Sequence, residues 1–313
     1  MNDTPAHTPA ETSVPILDAT DLLENFLTYQ EQYDNQIVGF KYGGELAEDA
    51  AKVREIFRQC VIMTRSHRGP LLFGVHGGGD AITAALAKEG VERVDDAKGK
   101  RITNPAVMNV ADRELGLINK SNVRLFNSLS DDVQAVGLAA YDGRLVTATP
   151  FDAANNNYAG RVTKVNTGFL SKIMSRSSGT YNIPLIYPIA YGPTAEATDY
   201  RINVNADDLA AEIAMAMKAK RFILLSNIPG VLDKQKNLIS TLSTDDIAGL
   251  IEDGTITKGM IPKVEGARDV ALELGDAGGV AIIDGRKRST MLNELLGMGG
   301  GTLIHAPRLT PGS

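Results

Sequence analysis

The sequence predicts an α/β fold whose central sheet is mostly parallel. Short apolar segments such as 71–75 and 222–226 alternate along the chain with amphipathic segments of helical period. Several apolar segments run directly into glycines, as in LLFGVHGGGD at residues 71–80, which is typical of a strand–turn–helix junction. With 313 residues, the chain can form one large domain or two lobes.

Composition and charge restrict the classes of function. The chain is 43% apolar and 22% charged, which is usual for a globular enzyme. Its net charge of −6 argues against a nucleic-acid partner, because no basic surface is available to neutralise phosphates. The single cysteine, Cys60, excludes an intramolecular disulfide and a cysteine metal cage. It lies in an apolar helical series, which predicts a buried, unreactive thiol.

The amino-terminal region divides into a tail and a helix. Residues 1–15 are polar and rich in proline and threonine, which predicts disorder and argues against a signal or transit peptide. The chain has no 18-residue apolar run, so we expect a cytoplasmic protein without a membrane partner. Residues 16–34 contain a predicted helix with Leu22, Leu23, Phe26 and Leu27 on one stripe. Either the rest of the chain or another subunit must cover this stripe.

A β-α-β unit follows, with strands at 37–42 and 71–75 and a helix at 48–65. The handedness of such crossovers makes the two strands parallel neighbours. Gly43-Gly44 and Gly77-Gly78 then lie side by side at the carboxyl ends of the strands, with Lys41 at the same edge. This is where open α/β sheets bind ligands, and glycines before a helix favour an anion. A plain tight turn and a surface lysine are the alternatives.

The middle of the chain offers one cation and several strands. Arg101 lies in a predicted loop and could bind a carboxylate bidentately, although a solvated surface arginine is the commoner case. Tyr141-Asp-Gly-Arg144 predicts a hairpin turn, and residues 151–160 predict a loop. The other predicted elements are a helix at 105–128 and strands at 135–138, 145–149, 160–165 and 183–189.

The carboxy-terminal third contains two further polar positions of interest. In YRINVNADD at 200–208, Asn203 and Asn205 share one face of an extended segment, and Asp207 is either a helix N-cap or a functional carboxylate. Lys263 begins a predicted helix, where a cation is unfavourable unless an anion binds there. The other predicted elements are strands at 222–226 and 279–285 and helices at 208–219, 243–254 and 290–296.

Several motifs of other enzyme classes are absent from the sequence. It has no G-x-x-x-x-G-K-[ST], no strand-linked G-x-G-x-x-G and no G-x-S-x-G. Its four histidines lack the spacing of metal ligands, so we expect no protein-held metal. Glycine loops with isolated lysines and an aspartate remain, and this set suits phosphoryl transfer, where positioning and charge stabilisation dominate.

Seven motifs in order resemble the N-acetyl-L-glutamate kinases of the amino acid kinase family, over about residue 20 to the end. They are KYGG (41–44), VHGGG (75–79), GKRIT (99–103), VGL…DG (136–143), NVNAD (203–207), FILLSNIPGVL (222–232) and KGMIPK (258–263). The resemblance implies a three-layer αβα sandwich around an open, mainly parallel sheet, with a substrate lobe at 35–200 and a nucleotide lobe at 201–313. It implies ATP-dependent phosphorylation of the side-chain carboxylate of N-acetyl-L-glutamate in arginine biosynthesis.

The resemblance also assigns roles to residues. Lys41 and Lys263 would neutralise the transferring phosphoryl group, and Asp207 would hold both lysines. The substrate would contact Gly77, Gly78, Arg101 and Asn203. The nucleotide would contact Gly43, Gly44, Ser226, Asn227, Gly230, Val231, Leu232, Lys258, Gly259 and Met260. Mg²⁺ would be held mainly by ATP oxygens and water.

The resemblance has departures and leaves alternatives. Asn227 stands where the family usually has aspartate, and Ser289 stands where arginine-inhibited members carry histidine. The amino-terminal helix before KYGG resembles the hexamer-forming branch, so the implied assembly is a homo-oligomer, a dimer or a hexamer. The alternatives are a kinase for another carboxylate, such as an aminoadipate derivative, and a non-catalytic amino-acid or nucleotide sensor. The presence of Lys41, Asp207 and Lys263 favours an enzyme.

Overall fold

The computed structural model describes residues 18–65, 68–95, 101–174, 176–177, 179–192, 200–257 and 259–307; the predicted tail at 1–15 lies outside them. The helices are α1 (Ala19–Tyr33), α2 (Glu45–Glu48), α3 (Ala50–Arg65), α4 (Gly79–Glu89), α5 (Pro105–Asn127), α6 (Thr167–Ile173), α7 (Ala206–Ala216), α8 (Asp246–Glu252), α9 (Ile261–Leu274) and α10 (Thr290–Leu295). The strands are β1 (Ile37–Tyr42), β2 (Leu71–His76), β3 (Val133–Ala139), β4 (Val146–Asp152), β5 (Asn157–Val165), β6 (Arg176–Ser177), β7 (Thr180–Tyr187), β8 (Ile189–Tyr191), β9 (Arg201–Val204), β10 (Arg221–Ser226), β11 (Thr241–Ser243), β12 (Val280–Asp284) and β13 (Gly301–His305).

A large, mainly parallel sheet forms the centre of the protein, as predicted. Its strand order is β11-β13-β12-β10-β1-β2-β7-β3, with β6 paired to β7. The pairs β12–β13 and β6–β7 are antiparallel, and the other pairs are parallel. Strand β1, which carries Lys41, lies between β10 and β2 in the middle of the sheet.

Helices cover both faces of this sheet and complete the three-layer sandwich. Successive side chains of a strand point to opposite faces. On β10, Phe222 and Leu224 accordingly join the core beneath α7 and α9, whereas Ile223 and Leu225 join the core beneath α3 and α10. Apolar burial on both faces explains why these strands are almost continuously hydrophobic.

A second, smaller sheet was not predicted. Strands β4, β5, β9 and β8 close into a four-stranded barrel. The turn at 141–144 therefore does not join two paired strands, and the hairpin prediction is wrong: β3 pairs with β7, while β4 pairs with β5 and β8. The turn instead carries the chain from the large sheet into the barrel, with Gly143 at φ 57°.

Other element boundaries differ from the prediction for local reasons. The helix predicted at 48–65 is divided at Asp49, whose side chain accepts hydrogen bonds from the backbone N–H groups of Ala51 and Lys52 and so begins α3. The helix predicted at 243–254 is shorter, because residues 241–243 form β11 at the edge of the sheet. None of the helices among the described residues is both long enough and apolar enough to span a membrane.

Helix α1 packs on the body through its carboxy-terminal end only. Tyr29 and Tyr33 are buried, and the Tyr33 hydroxyl accepts hydrogen bonds from Arg221, which lies 3.6 Å from the buried Glu294. The predicted apolar stripe is exposed in the chain, with side chains between 39% and 58% accessible: Leu22, Leu23, Phe26 and Leu27. Cys60 is fully buried, as predicted.

Candidate active site

The two glycine pairs lie side by side at the carboxyl ends of β1 and β2. The strands are parallel, and their register pairs Lys41 with Val75 and Tyr42 with His76, which confirms the predicted arrangement. A β-carbon at Gly43 would lie 3.1 Å from Lys41 Nζ and 3.5 Å from Gly77 N. The glycine therefore leaves room for the lysine ammonium beside the neighbouring loop.

Lys41 forms an ion pair with Asp207 across the sheet edge. Lys41 Nζ lies 2.9 Å from Asp207 Oδ1, and the lysine side chain is 15% exposed. Asp207 is not the N-cap of α7, contrary to one of the two predicted interpretations. Asn205 is the N-cap, because its side chain accepts hydrogen bonds from the backbone N–H groups of Asp207 and Asp208. The Asp207 carboxylate is thus available to pair with Lys41.

Lys263 approaches the same point from the other side. It lies in the first turn of α9, whose N-cap residue, Met260, makes no side-chain capping bond. Lys263 Nζ donates a hydrogen bond of 2.7 Å to Ser226 Oγ at the end of β10. Burial lowers the pKa of Lys263, the neighbouring Asp207 opposes that shift, and Lys41 adds to it. A bound anion would relieve both the burial cost and the repulsion between the lysines.

A cavity of about 370 Å³ opens on the Lys41 side. Both glycine pairs, Lys41, Asp207, Arg101 and Asn203 contribute to its wall. The guanidinium of Arg101 donates to the Gly79 carbonyl and to Thr83 Oγ1, and its buried Nε has no hydrogen-bond partner. Asn203 Nδ2 donates to the buried Thr103 Oγ1. The cavity thus offers cationic and amide groups to a small anion.

A second cavity of about 450 Å³ lies on the Lys263 side. It is a mainly apolar groove between β10 and α9, with Phe222, Leu224, Ala267 and Val270 in its wall. Gly259 also lines this groove. The two cavities share Asn205 and Asp207. Two ligands, one in each cavity, would therefore meet beside the ion pair of Lys41 and Asp207.

The amino acid kinase family model matches residues 38–279. The chain belongs to the amino acid kinase family. It is 39% identical to the acetylglutamate kinase of Nitrobacter hamburgensis over 301 residues, which are 92% of this chain and 97% of that protein. It is 38% identical to the acetylglutamate kinase of Rhodopseudomonas palustris strain BisB18, over 97% of this chain and 100% of that protein.

Solved structures share the family fold at low sequence identity. An N-acetylglutamate synthase from Neisseria gonorrhoeae, complexed with coenzyme A and N-acetyl-glutamate, superposes with a TM-score of 0.75 at 19% identity, covering 94% of this chain and 65% of that one. A carbamate kinase from Giardia lamblia bound to AMP-PNP gives a TM-score of 0.60 at 14% identity, covering 87% of this chain and 99% of that one.

Several residues that the family resemblance assigned to the nucleotide are not among those that line the second cavity. Ser226 is buried and bonded to Lys263. Val231 is buried in the core, and its N–H donates to Thr302 Oγ1. These two residues support the site from within. Asn227, Gly230, Leu232 and Met260 are not part of the wall of the groove, and Lys258 lies outside the described residues.

The structure adds residues to the site that sequence reasoning missed. Asp80, Phe151, Gly160 and Pro188 line the first cavity. Phe151 lies on β4 and Gly160 on β5, which pair as an antiparallel hairpin of the barrel. A loop was predicted at 151–160 and a strand from residue 160, so the part of the hairpin that contains Phe151 was missed. Asn205 was noted in the sequence without a role, and its recurrence with Asn203 on one face was the available signal. Among the described residues, no three His, Cys, Asp or Glu side chains cluster as metal ligands.

Proposed function

We propose that this chain transfers the γ-phosphoryl group of ATP to the side-chain carboxylate of N-acetyl-L-glutamate, forming N-acetylglutamyl 5-phosphate and ADP. The observation that carries the proposal is the meeting of two cavities at Asp207, with Lys41 on one side and Lys263 on the other. The two named relatives are both acetylglutamate kinases and align over almost the whole chain. The reaction belongs to the arginine biosynthetic route.

The first cavity suits a small N-acylated amino acid with two carboxylates. The guanidinium of Arg101, which lines this cavity, would bind the α-carboxylate. The side-chain oxygen of Asn203 would accept a hydrogen bond from the acetamido N–H, while its Nδ2 stays bonded to Thr103. The side-chain carboxylate would then point toward Gly43, Gly44, Gly77 and Gly78, which line the same cavity.

The second cavity suits the nucleotide. Its apolar wall between β10 and α9 would accept the base and sugar, and Gly259 and Lys263 also line it. We also keep Asn227, Gly230, Leu232, Lys258 and Met260 as candidate contacts of the nucleotide. Mg²⁺ would be held chiefly by the phosphate oxygens of ATP and by water, which it prefers as ligands.

The residues of the site would act by placing charge around the transferring group. One carboxylate oxygen of the acceptor forms the new bond to the γ-phosphorus while the bond from that phosphorus to the bridging oxygen of ADP breaks. Lys41 and Lys263 would neutralise the charge that develops on the phosphoryl oxygens. Asp207 would hold Lys41 in place through its ion pair. The acceptor is already ionised, so no general base is needed.

A direct assay tests this proposal. The full chain is incubated with MgATP and one of four acceptor conditions, and the acyl phosphate is trapped with hydroxylamine. The conditions are N-acetyl-L-glutamate, L-glutamate, an N-acetylated aminoadipate, and no acceptor. We expect hydroxamate with N-acetyl-L-glutamate, and a loss of kcat of about 100- to 1,000-fold in Lys41→Ala and Lys263→Ala.

A matched control shows whether the loss of kcat is specific to Lys41 and Lys263 or follows from removing any lysine. Lys52 pairs with Asp49 on the surface of α3, so Lys52→Ala should keep the wild-type rate. Turnover with a different acceptor only would retain the kinase and reject N-acetyl-L-glutamate. ATP binding without turnover of any acceptor would favour the sensor.

We further propose that the chain forms a homo-oligomer, a dimer or a hexamer, through α1. The support is the exposed stripe of Leu22, Leu23, Phe26 and Leu27 on a helix that is anchored at its other end. Gel filtration of Leu23→Glu/Leu27→Glu should give a smaller assembly than the wild type. Leu272→Glu, a change at an equally exposed leucine on α9, serves as the control. An unchanged mass in the double variant would refute the role of α1.

We propose the division into a substrate lobe at 35–200 and a nucleotide lobe at 201–313 with one adjustment. The strands β1, β2, β3 and β7 occupy one half of the sheet, and β10 to β13 occupy the other. Strand β9, however, belongs to the barrel together with β4, β5 and β8. A boundary after residue 204 would therefore follow the strand pairing better.

A further inference from the structure

His76 is a buried polar residue next to the site that the proposed reaction does not use. It ends β2, directly before Gly77, and is fully buried. Its Nδ1 lies 3.1 Å from the Gly77 carbonyl oxygen, and its Nε2 lies 3.0 Å from Asn119 Nδ2. Burying an imidazole costs free energy unless its polar atoms are paired. Both ring nitrogens of His76 have a partner, and these partners show what the buried ring does.

The partners of Asn119 fix the tautomer of His76. Asn119 Nδ2 carries two hydrogens and faces two acceptors, His76 Nε2 and the Leu185 carbonyl oxygen at 2.9 Å. His76 Nε2 must then present its lone pair, so the ring hydrogen is on Nδ1 and is donated to the Gly77 carbonyl. The reversed amide would set two oxygens against each other at Leu185, which excludes that orientation.

Gly137 on β3 explains how the Asn119 amide fits there. A β-carbon at Gly137 would lie 2.2 Å from Asn119 Oδ1 and 2.8 Å from Val123 Cγ2. A residue with a side chain at this position would displace the amide from His76. The family resemblance implied no role for Gly137 of the VGL…DG motif. Its lack of a side chain leaves room for the Asn119 amide beside His76.

Peptide geometry connects the hydrogen bonds of Asn119, His76 and the Gly77 carbonyl to the first cavity. In a planar trans peptide the C=O of one residue and the N–H of the next point in opposite directions. The Gly77 carbonyl is held toward the buried imidazole, so the N–H of Gly78 is directed the other way, and Gly78 lines the first cavity. We propose that His76 and Asn119 are positioning residues that aim the Gly78 N–H at the transferring phosphoryl group.

A parallel arrangement supports the neighbouring glycine pair. Asn122, one turn after Asn119 on α5, donates a 2.9 Å hydrogen bond to the Tyr42 hydroxyl. Tyr42 ends β1, is the register partner of His76, and accepts the Gly77 N–H through its carbonyl oxygen at 3.1 Å. Helix α5 thus carries two buried asparagines, each holding the residue before one glycine pair.

This inference rests on the proposed function and predicts a specific kinetic signature. A donor aimed at the phosphoryl group contributes most when charge has developed there, so its misplacement lowers kcat more than it raises KM. We expect His76→Leu and Asn119→Leu to lower kcat by about 10- to 100-fold, with the KM of either substrate changed by less than about threefold.

Two further variants separate positioning from simple destabilisation. In His76→Asn, the amide nitrogen can take the place of Nδ1 and donate to the Gly77 carbonyl, so kcat should recover to within about threefold of the wild type. Gln59→Leu removes a buried side chain that accepts a hydrogen bond from the Met291 N–H and lines neither cavity; it should lower the melting temperature without lowering kcat. Wild-type kcat in His76→Leu, or equal losses in all four variants, would refute the proposal.

The tautomer of His76 can be measured on the wild-type protein, without substrates and without any substitution. Long-range ¹H–¹⁵N correlation spectra of the wild-type chain labelled in its four histidines distinguish Nδ1–H from Nε2–H rings. We expect the Nδ1–H form for His76 at neutral pH. The Nε2–H form would show that His76 does not donate to the Gly77 carbonyl and would contradict the proposal. An absence of turnover in the wild type, by contrast, would count against the proposed function and leave the tautomer result standing.

Discussion

The buried His76 should make the stability of the protein depend on acid in a calculable way. Burial lowers its pKa from 6.5 to about 4, so between these values the unfolded chain binds a proton that the folded chain does not. The free energy of unfolding therefore falls as the pH falls through this range. At about 1.4 kcal/mol per pKa unit, the full loss is about 3 kcal/mol, and roughly 2 kcal/mol of it appears between pH 7 and pH 5.

Urea unfolding followed by circular dichroism at a fixed protein concentration measures this loss. The wild type and His76→Leu are compared at pH 7, 6 and 5, so that the contributions of the other ionisable groups cancel. Although His76→Leu should be less stable at pH 7, its free energy of unfolding should fall by about 2 kcal/mol less than that of the wild type on going to pH 5. Equal decreases in the two proteins would refute the assignment of a neutral, desolvated imidazole.

Three further predictions concern the site. Because bound phosphate oxygens raise the lowered pKa of Lys263, the alkaline decrease of kcat/KM should lie at lower pH than that of kcat, and Lys263→Arg should shift both upward in a pH–rate profile. Arg101→Ala should raise the acceptor KM by about 10- to 100-fold and leave the ATP KM unchanged, whereas Arg65→Ala on α3, which removes an exposed partner of Asp132, should change neither. Thr302→Val removes the hydroxyl that joins Val231 N–H to the Ile239 carbonyl and should lower stability by about 1–3 kcal/mol in thermal melts while raising the ATP KM.

The sequence predicted those parts of the site that depend on local pattern. The β-α-β unit, the two glycine pairs and Lys41 at their edge follow from hydrophobic runs and crossover handedness, and the strand register agrees. The cap of α7 was harder, because Asn205 and Asp207 are both good N-cap residues. Backbone geometry at the start of the helix selected Asn205.

Contacts between distant segments could not be predicted from residue patterns. The closed barrel depends on β9, a strand of four residues, pairing with segments far away in the chain. The hydrogen bonds between Asn203 and Thr103 and between Asn119 and His76 likewise join segments that are distant in sequence. Asn119 is not distinguished by its neighbours in sequence, since a buried amide looks like a surface one until its partners are known. The alternation with Asn205 does mark Asn203, but it does not reveal that Thr103 is its partner.

The sequence by itself determined the fold class, the β-α-β unit that carries the glycine pairs and the chemical types available for phosphoryl transfer, because these follow from hydrophobic period and from residue identity. Only the tertiary structure decided that Asp207 pairs with Lys41 while Ser226 takes Lys263, and that two cavities meet between the lysines. The physical reason is that ion pairs, desolvation and hydrogen-bond direction depend on distances between atoms, which the packing of the strands and helices sets.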